Sequence, residues 1–127
     1  MNLIVCVDDK MGMAFNGRRL SRDRIVCEDI LKETQGRTVR MDARSQRLFE
    51  GTDITIADDA DYYFLEFSAP SELSERPEHI ILYRWNRHYP SDVKFDLPMD
   101  GYKLTDRAEF AGSSHEMITK EVYEYEK

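Results

Sequence analysis

An apolar run ends in paired carboxylates, Asp8 and Asp9, and Gly12 and Gly17 follow within a few residues. Two carboxylates at a strand end suit a bound cation or an acid–base pair. The same residues are also ordinary turn formers that keep a chain reversal solvated. The glycines allow backbone angles that other residues resist, so a ligand can approach the chain closely there. Next come guanidinium groups in unusual density: Arg18, Arg19, Arg22 and Arg24, joined by Arg37, Arg40 and Arg44. Guanidinium grips phosphate or carboxylate in a planar fork. If several of these arginines converge, they form a site for a small anionic ligand, and Asp8, Gly12, Gly17, Arg18, Arg19 and Arg44 are its candidate residues. The alternative is plain pairing with the 25 acidic side chains.

Other reactive side chains are scattered. His79, His88 and His115 form no HxH, HxxxH or HExxH pattern, so no metal is expected and metal-dependent nuclease chemistry has no ligands. Cys6 and Cys27 lack CxxC spacing and read as reduced thiols of a cytoplasmic protein, Cys6 as a small core residue. Gly112-Ser113-Ser114-His115 offers a hydroxyl beside an imidazole, which a hairpin tip explains without catalysis. Trp85-Asn86-Arg87-His88-Tyr89-Pro90 is either a planar-ligand or partner surface, or core closure with a turn.

These residues must be positioned by alternating strands and helices. Leu3–Val7 is a β-branched run that fits a central strand buried on both faces. The stretch from Asp8 to Leu20 then reads as a long loop, a length often associated with function. Ser21 is the expected cap of a helix whose apolar stripe is Ile25, Val26, Ile30 and Leu31, stopped at Gly36. Further strands are expected over 37–41, 53–57, 62–67, 80–85 and 118–125, with a short helical turn over 45–49. Shorter alternations stand at 93–97, 102–104 and 108–110, and Gly112–Ser114 joins the last pair of strands. The fold class is therefore α/β, a mixed central sheet flanked by a few helices, in one domain over 1–127.

Bulk properties narrow the classes. Hydrophobic residues make up 41% and aromatics 11%, a folding composition. Net charge is −7, which argues against general nucleic-acid or anionic-membrane binding. No apolar run approaches the roughly 18 residues of a membrane span, and LIVCV lacks the basic lead of a secretory signal.

In this order the segments resemble the dihydrofolate reductase family. Leu3–Asp8 with Met11-Gly12-Met13 is similar to its first strand and glycine loop. Thr34 and Gly36–Met41 resemble its second strand and the threonine before it. Ile80–Trp85 with Pro90–Asp96, then Gly101–Leu104, then Glu109–Glu124, resemble its closing strands. The resemblance implies a dihydrofolate reductase-like α/β fold, NADPH as cofactor, and an acid on the first helix.

The departures imply less. The chain is short between Leu48 and Tyr62, where the family builds much of its adenosine-binding lobe. Its phosphate-gripping glycine-arginine-threonine run is here Asp42-Ala43-Arg44-Ser45: Arg44 and Ser45 suit an anion, Asp42 does not. The glycine pair that lets backbone approach the pyrophosphate is replaced within Phe64-Leu65-Glu66-Phe67. The position of the acid falls on Val26, with Asp23 and Glu28 nearby as substitutes, and the first-loop proline-tryptophan pair is absent, Arg18-Arg19 standing in that neighbourhood. The expectation is a non-catalytic protein without cofactor that binds a protein partner, a second copy of itself, or a small anionic ligand. An NADPH-dependent reductase using Asp23 or Glu28, and a hydrolase, are the alternatives.

Overall fold

The computed structural model describes residues 1–126. In chain order the elements are β1 (Asn2–Val7), β2 (Gly12–Phe15), β3 (Arg18–Arg19), α1 (Arg24–Glu33), β4 (Thr38–Arg40), α2 (Ala43–Leu48), β5 (Thr55–Ile56), β6 (Tyr62–Phe64), a 3-10 turn (Pro70–Glu72), β7 (His79–Arg84), β8 (Val93–Lys94), β9 (Tyr102–Phe110) and β10 (Ile118–Tyr125). A seven-stranded sheet runs β5-β4-β6-β1-β7-β10-β9, and β3-β2-β8 form a small second sheet. The neighbours from β5 to β7 are parallel, while β10 pairs antiparallel with both β7 and β9. The sheet is therefore mixed, as expected.

β1 sits at the centre because its residues tolerate no water: Leu3, Ile4, Val5 and Val7 are fully buried. Their alternation serves two cores. Ile4, Val26, Ile30, Val39, Phe64, Ile81 and Ile118 pack on the helical face. Leu3, Val5, Val7, Leu65, Ile80, Leu82 and Phe95 pack on the other.

Several elements differ from the sequence reading. The long loop after β1 folds as a hairpin, β2–β3, whose two-residue turn is Asn16-Gly17, both at positive φ (52° and 74°). Asn-Gly is the pair such tight turns demand, because both central residues take left-handed backbone. The two short alternations at 102–104 and 108–110 are one strand, β9, paired to β10 along its length with one register shift at Thr105. The cap of α1 is Asp23 rather than Ser21, since the Asp23 carboxylate accepts from the Ile25 and Val26 amides. β6 stops at Phe64; the Leu65 amide still donates to Ile4 O of β1 at 3.1 Å, and Glu66 beyond it meets α2.

The buried Tyr83 ring carries a hydroxyl that donates to Asp29 Oδ2 at 2.6 Å, and Lys120 Nζ neutralises the same carboxylate at 2.8 Å. Tyr83→Phe keeps the packing and removes one charge-assisted bond. It is expected to lower the stability by about 1.5 kcal/mol, read as a lower urea midpoint at unchanged slope.

Candidate functional site

Four of the arginine-site residues converge. β3 presents Arg19, the β2–β3 turn presents the Gly17 carbonyl, and the first turn of α2 presents Arg44 and Ser45. At their centre stands Glu66, just past β6 and nearly buried. Arg19 Nε and Nη2 donate to the two Glu66 carboxylate oxygens, each at 2.9 Å, a bidentate fork. Ser45 Oγ donates to Glu66 Oε1 at 2.7 Å. Arg44 Nη1 donates to the Gly17 carbonyl at 3.1 Å, and its guanidinium lies 3.9 Å from the Phe67 ring centroid. The α2 cap is Asp42, whose Oδ1 accepts from Ser45 N at 2.9 Å while Oδ2 accepts from Arg44 Nη2 at 3.2 Å. Burial pushes the Asp42 carboxyl up, but the Ser45 amide and Arg44 outweigh it and hold it below its ordinary value. The hydrogen bond that Arg19 donates to Glu66 is the main cause that holds Arg19 above its ordinary value. The arrangement binds a carboxylate, and the carboxylate is the chain's own. Beside it, between α2 and Tyr63–Ser68, about 80 Å³ remains, room for a few waters.

The other candidates lie elsewhere. Asp8 is buried inside the turn after β1, where Oδ1 accepts from the Lys10 and Gly12 amides (2.9 and 2.6 Å) and Oδ2 from the Tyr89 amide (3.0 Å). Burial raises the Asp8 pKa, and these amides outweigh it, leaving it lowered. A Cβ on Gly12 would fall 2.6 Å from Ser91 Cβ, so this glycine serves close packing of two loops. Arg18 is exposed and makes no ion pair among the described residues.

A second cluster joins residues 92 positions apart. The Asp23 side chain is completely buried and the His115 side chain is 2% exposed. Asp23 accepts from the Ser113 and Ser114 amides at 2.9 Å each, and His115 Nδ1 donates to Asp23 Oδ2 at 2.9 Å, since a carboxylate can only accept. His115 Nε2 lies 3.1 Å from both Ser21 Oγ and Tyr89 Oη, and its ring stacks on Trp85 with centroids 4.7 Å apart. Thus Trp85 and Tyr89 close the core here while 86–88 and Pro90 are exposed, and Gly112–His115, in the β9–β10 connection, folds over the start of α1. Burial acts to raise the Asp23 pKa, yet the Ser113 amide, His115 and the Ser114 and Ile25 amides outweigh it and hold the carboxyl well below the usual range. A group so held stays ionised at neutral pH and is a poor proton donor. Glu28 is exposed and pairs with Arg24 at 3.1 Å on the α1 surface.

Two grooves flank these clusters. One of about 500 Å³ lies between α1 and the end of α2, with Cys27, Leu31, Leu48 and Phe49 along it, and Arg22, Arg24 and Glu28 also lining it. The other, about 420 Å³, is lined by Asp58, Asp59, Glu72 and Glu75 against Arg40, with Tyr62 and Tyr63. Burial pushes the Cys27 thiol up to about 11 and raises Cys6 as well, so both are protonated at neutral pH. Among the described residues no group of three or more His, Cys, Asp or Glu side chains is placed to hold a metal ion, and no helix is long and apolar enough to cross a membrane.

The sequence pointed to Gly17, Arg19, Arg44 and Ser45, but not to Glu66 as their partner or to His115 as a buried group. A lone acidic residue where the resemblance implies glycine is the available signal for the first. Nothing in the spacing signals the second.

No protein-family model matches the sequence, and no curated protein matches it. Among solved structures the chain is similar to a dihydrofolate reductase from Enterococcus faecalis complexed with NADP(H) and RAB-propyl. The TM-score is 0.71, the match covers 99% of this chain and 96% of that one, and sequence identity is 9%. At that identity the likeness is one of fold: this chain has the dihydrofolate reductase-like α/β fold, a divergent version of it.

Proposed function

We propose that this chain is a non-redox, ligand-binding version of the dihydrofolate reductase-like fold, in which a side-chain carboxylate stands where the resemblance would seat a cofactor phosphate. The observation that carries this reading is the Glu66 carboxylate, held by both prongs of Arg19 and by Ser45 Oγ. A second acid, Asp42, occupies the other glycine position and takes up the Ser45 amide. The chain between β5 and β6 is reduced to residues 57–61, and the acidic groove lined by Asp58, Asp59, Glu72 and Glu75 repels a polyanion. Nicotinamide dinucleotide therefore meets carboxylates where it needs amides and cations.

The ligand is instead a small molecule with an apolar body and an anionic group, held in the groove between α1 and α2. Leu31, Leu48 and Phe49 supply the apolar wall, and Arg22 and Arg24 supply the charge.

Thermal unfolding with NADPH and with NADP+ tests this. A ligand at a hundred times its dissociation constant stabilises a fold by about 2.7 kcal/mol, a shift of several degrees. The expected result is no shift at millimolar dinucleotide. A saturable rise in Tm overturns the reading in favour of a reductase.

A further inference from the structure

The cluster around His115 has a use that capping α1 leaves open. We propose that Ser21, His115 and Asp23 form an acyl-transfer centre acting on short-chain carboxylic esters, with Ser21 as nucleophile, His115 as its general base and Asp23 as the positioning residue for that base.

Geometry and chemistry carry the assignment. Asp23 Oδ2 accepts a hydrogen bond from His115 Nδ1 at 2.9 Å, which in the neutral ring fixes the tautomer and leaves Nε2 with a free electron pair. The ring cannot turn away, because it is sandwiched in the core against Trp85, 4.7 Å between centroids and 22° from parallel. Nε2 is therefore an oriented base, and a serine hydroxyl lies 3.1 Å from it. Nucleophile to base to orienting carboxylate, each within hydrogen-bond reach, is the arrangement that activates a weak hydroxyl. A purely structural cap needs only the carboxylate and the amides of Ile25, Ser113 and Ser114. It does not need an imidazole with its second nitrogen turned onto a half-buried hydroxyl.

Tyr89 Oη is the other group on Nε2, also at 3.1 Å. Access distinguishes the two. Ser21 lines a narrow crevice that shares Arg22, Asp23, Cys27 and Leu48 with the groove between α1 and α2, and Tyr89 lines neither. The crevice holds about 10 Å³, one water at most. The ester therefore lies in the groove, its acyl chain against Leu48, Phe49 and Leu31, with its carbonyl at the crevice mouth. The amide of Arg22, next after the nucleophile, has no hydrogen-bond partner among the described residues and is the donor available to the developing oxyanion.

The step balances without a cofactor. Ser21 Oγ bonds to the carbonyl carbon as its proton passes to His115 Nε2, and the carbonyl π pair moves onto oxygen. Collapse of that adduct expels the alkoxide, which takes the proton from Nε2 and leaves as the alcohol. Water then attacks acyl-Ser21 by the same route and releases the carboxylic acid.

This goes beyond the ligand-binding reading and uses none of the Glu66 hydrogen bonds, although Glu66 also lines the crevice, so a dinucleotide result leaves it standing and its own failure leaves that reading intact. The test uses the intact chain with p-nitrophenyl butyrate and, separately, a fluorophosphonate probe. The expected result is one adduct per chain, mapped by tandem mass spectrometry to Ser21, with nitrophenol released. Ser21→Ala is expected to lower that release at least about 10²-fold, and the adduct map separates Ser21 from Tyr89. Asp23→Asn keeps a capping oxygen but favours the wrong tautomer; at least a 10²-fold loss of turnover at unchanged half-saturation, about the scale of such changes, is expected. Circular dichroism confirms that each variant is folded, and the adduct map on the unaltered chain needs no variant at all. Absence of an adduct on the folded chain, an adduct on another residue, or full activity in Ser21→Ala overturns the proposal.

Discussion

Glu66→Ala is expected to cost about 3 kcal/mol of folding stability, the scale of breaking one side of a largely buried ion pair. The side chain itself is small in the core; the loss comes from what it leaves behind. Arg19, with a side chain 24% exposed, loses a bidentate partner, and the Ser45 hydroxyl loses its acceptor. Because Arg19 is partly solvated, the cost falls at the lower end of what a fully buried pair would show. The same deletion leaves the Arg19 fork and the Ser45 hydroxyl facing a vacated carboxylate space. Inorganic phosphate is therefore expected to raise the Tm of Glu66→Ala while leaving the unaltered chain unmoved. Urea denaturation with and without phosphate reads both effects. Glu66→Gln keeps an acceptor for Ser45 and loses the charge, so it falls between the two.

Asp23→Ala is expected to be more damaging still, about 4 kcal/mol, because several buried donors lose one acceptor at once. The cap of α1 goes, worth about 1 kcal/mol alone. The Ser113 and Ser114 amides and His115 Nδ1 are left facing nothing. There is a matching pH dependence. Asp23 is depressed in the folded state, so its contribution is fully present above the unfolded value of about 3.9 and drains away as the pH falls from there toward the lower folded value. Asp8, Asp42 and Asp96 are lowered as well and add to the same acid limb. The unaltered chain should therefore lose stability steeply below about pH 4, and Asp23→Asn should show a flatter acid limb. Chemical denaturation across that range measures the slope; equal slopes would show that Asp23 is not a principal acid-sensitive group.

The sequence made the central sheet legible because β1 and β7 are apolar on both faces and β10 alternates. A central place in a parallel sheet buries Leu3, Ile4, Val5, Val7 and residues 80–83 on both faces. The β2–β3 hairpin was also written there, in Asn16-Gly17, but a two-residue strand such as β3 has no periodicity to detect. The strand-like composition of Leu65-Glu66-Phe67 carries the expected strand past the end of β6 at Phe64. Glu66 instead turns out of the ladder to satisfy Arg19, a tertiary demand that no local propensity reports. The arginines suggest an anion site by type and density; in the fold Arg19 forks onto Glu66, while Arg44 pairs with Asp42 and donates to the Gly17 carbonyl. What they meet is set by long-range contact. Arg19 finds its carboxylate 47 residues away and Asp23 finds His115 92 residues away, separations over which a single sequence carries no pairing signal.

The central claim is that the anion cradle between β3, α2 and the end of β6 is already filled by Glu66. A crystal structure of the chain soaked with NADP+ tests it most directly. The account predicts density for the Glu66 carboxylate within hydrogen-bond distance of Arg19 and Ser45, and no dinucleotide. Pyrophosphate density bonded to Arg19, Arg44 or Ser45, with Glu66 swung aside, would contradict it.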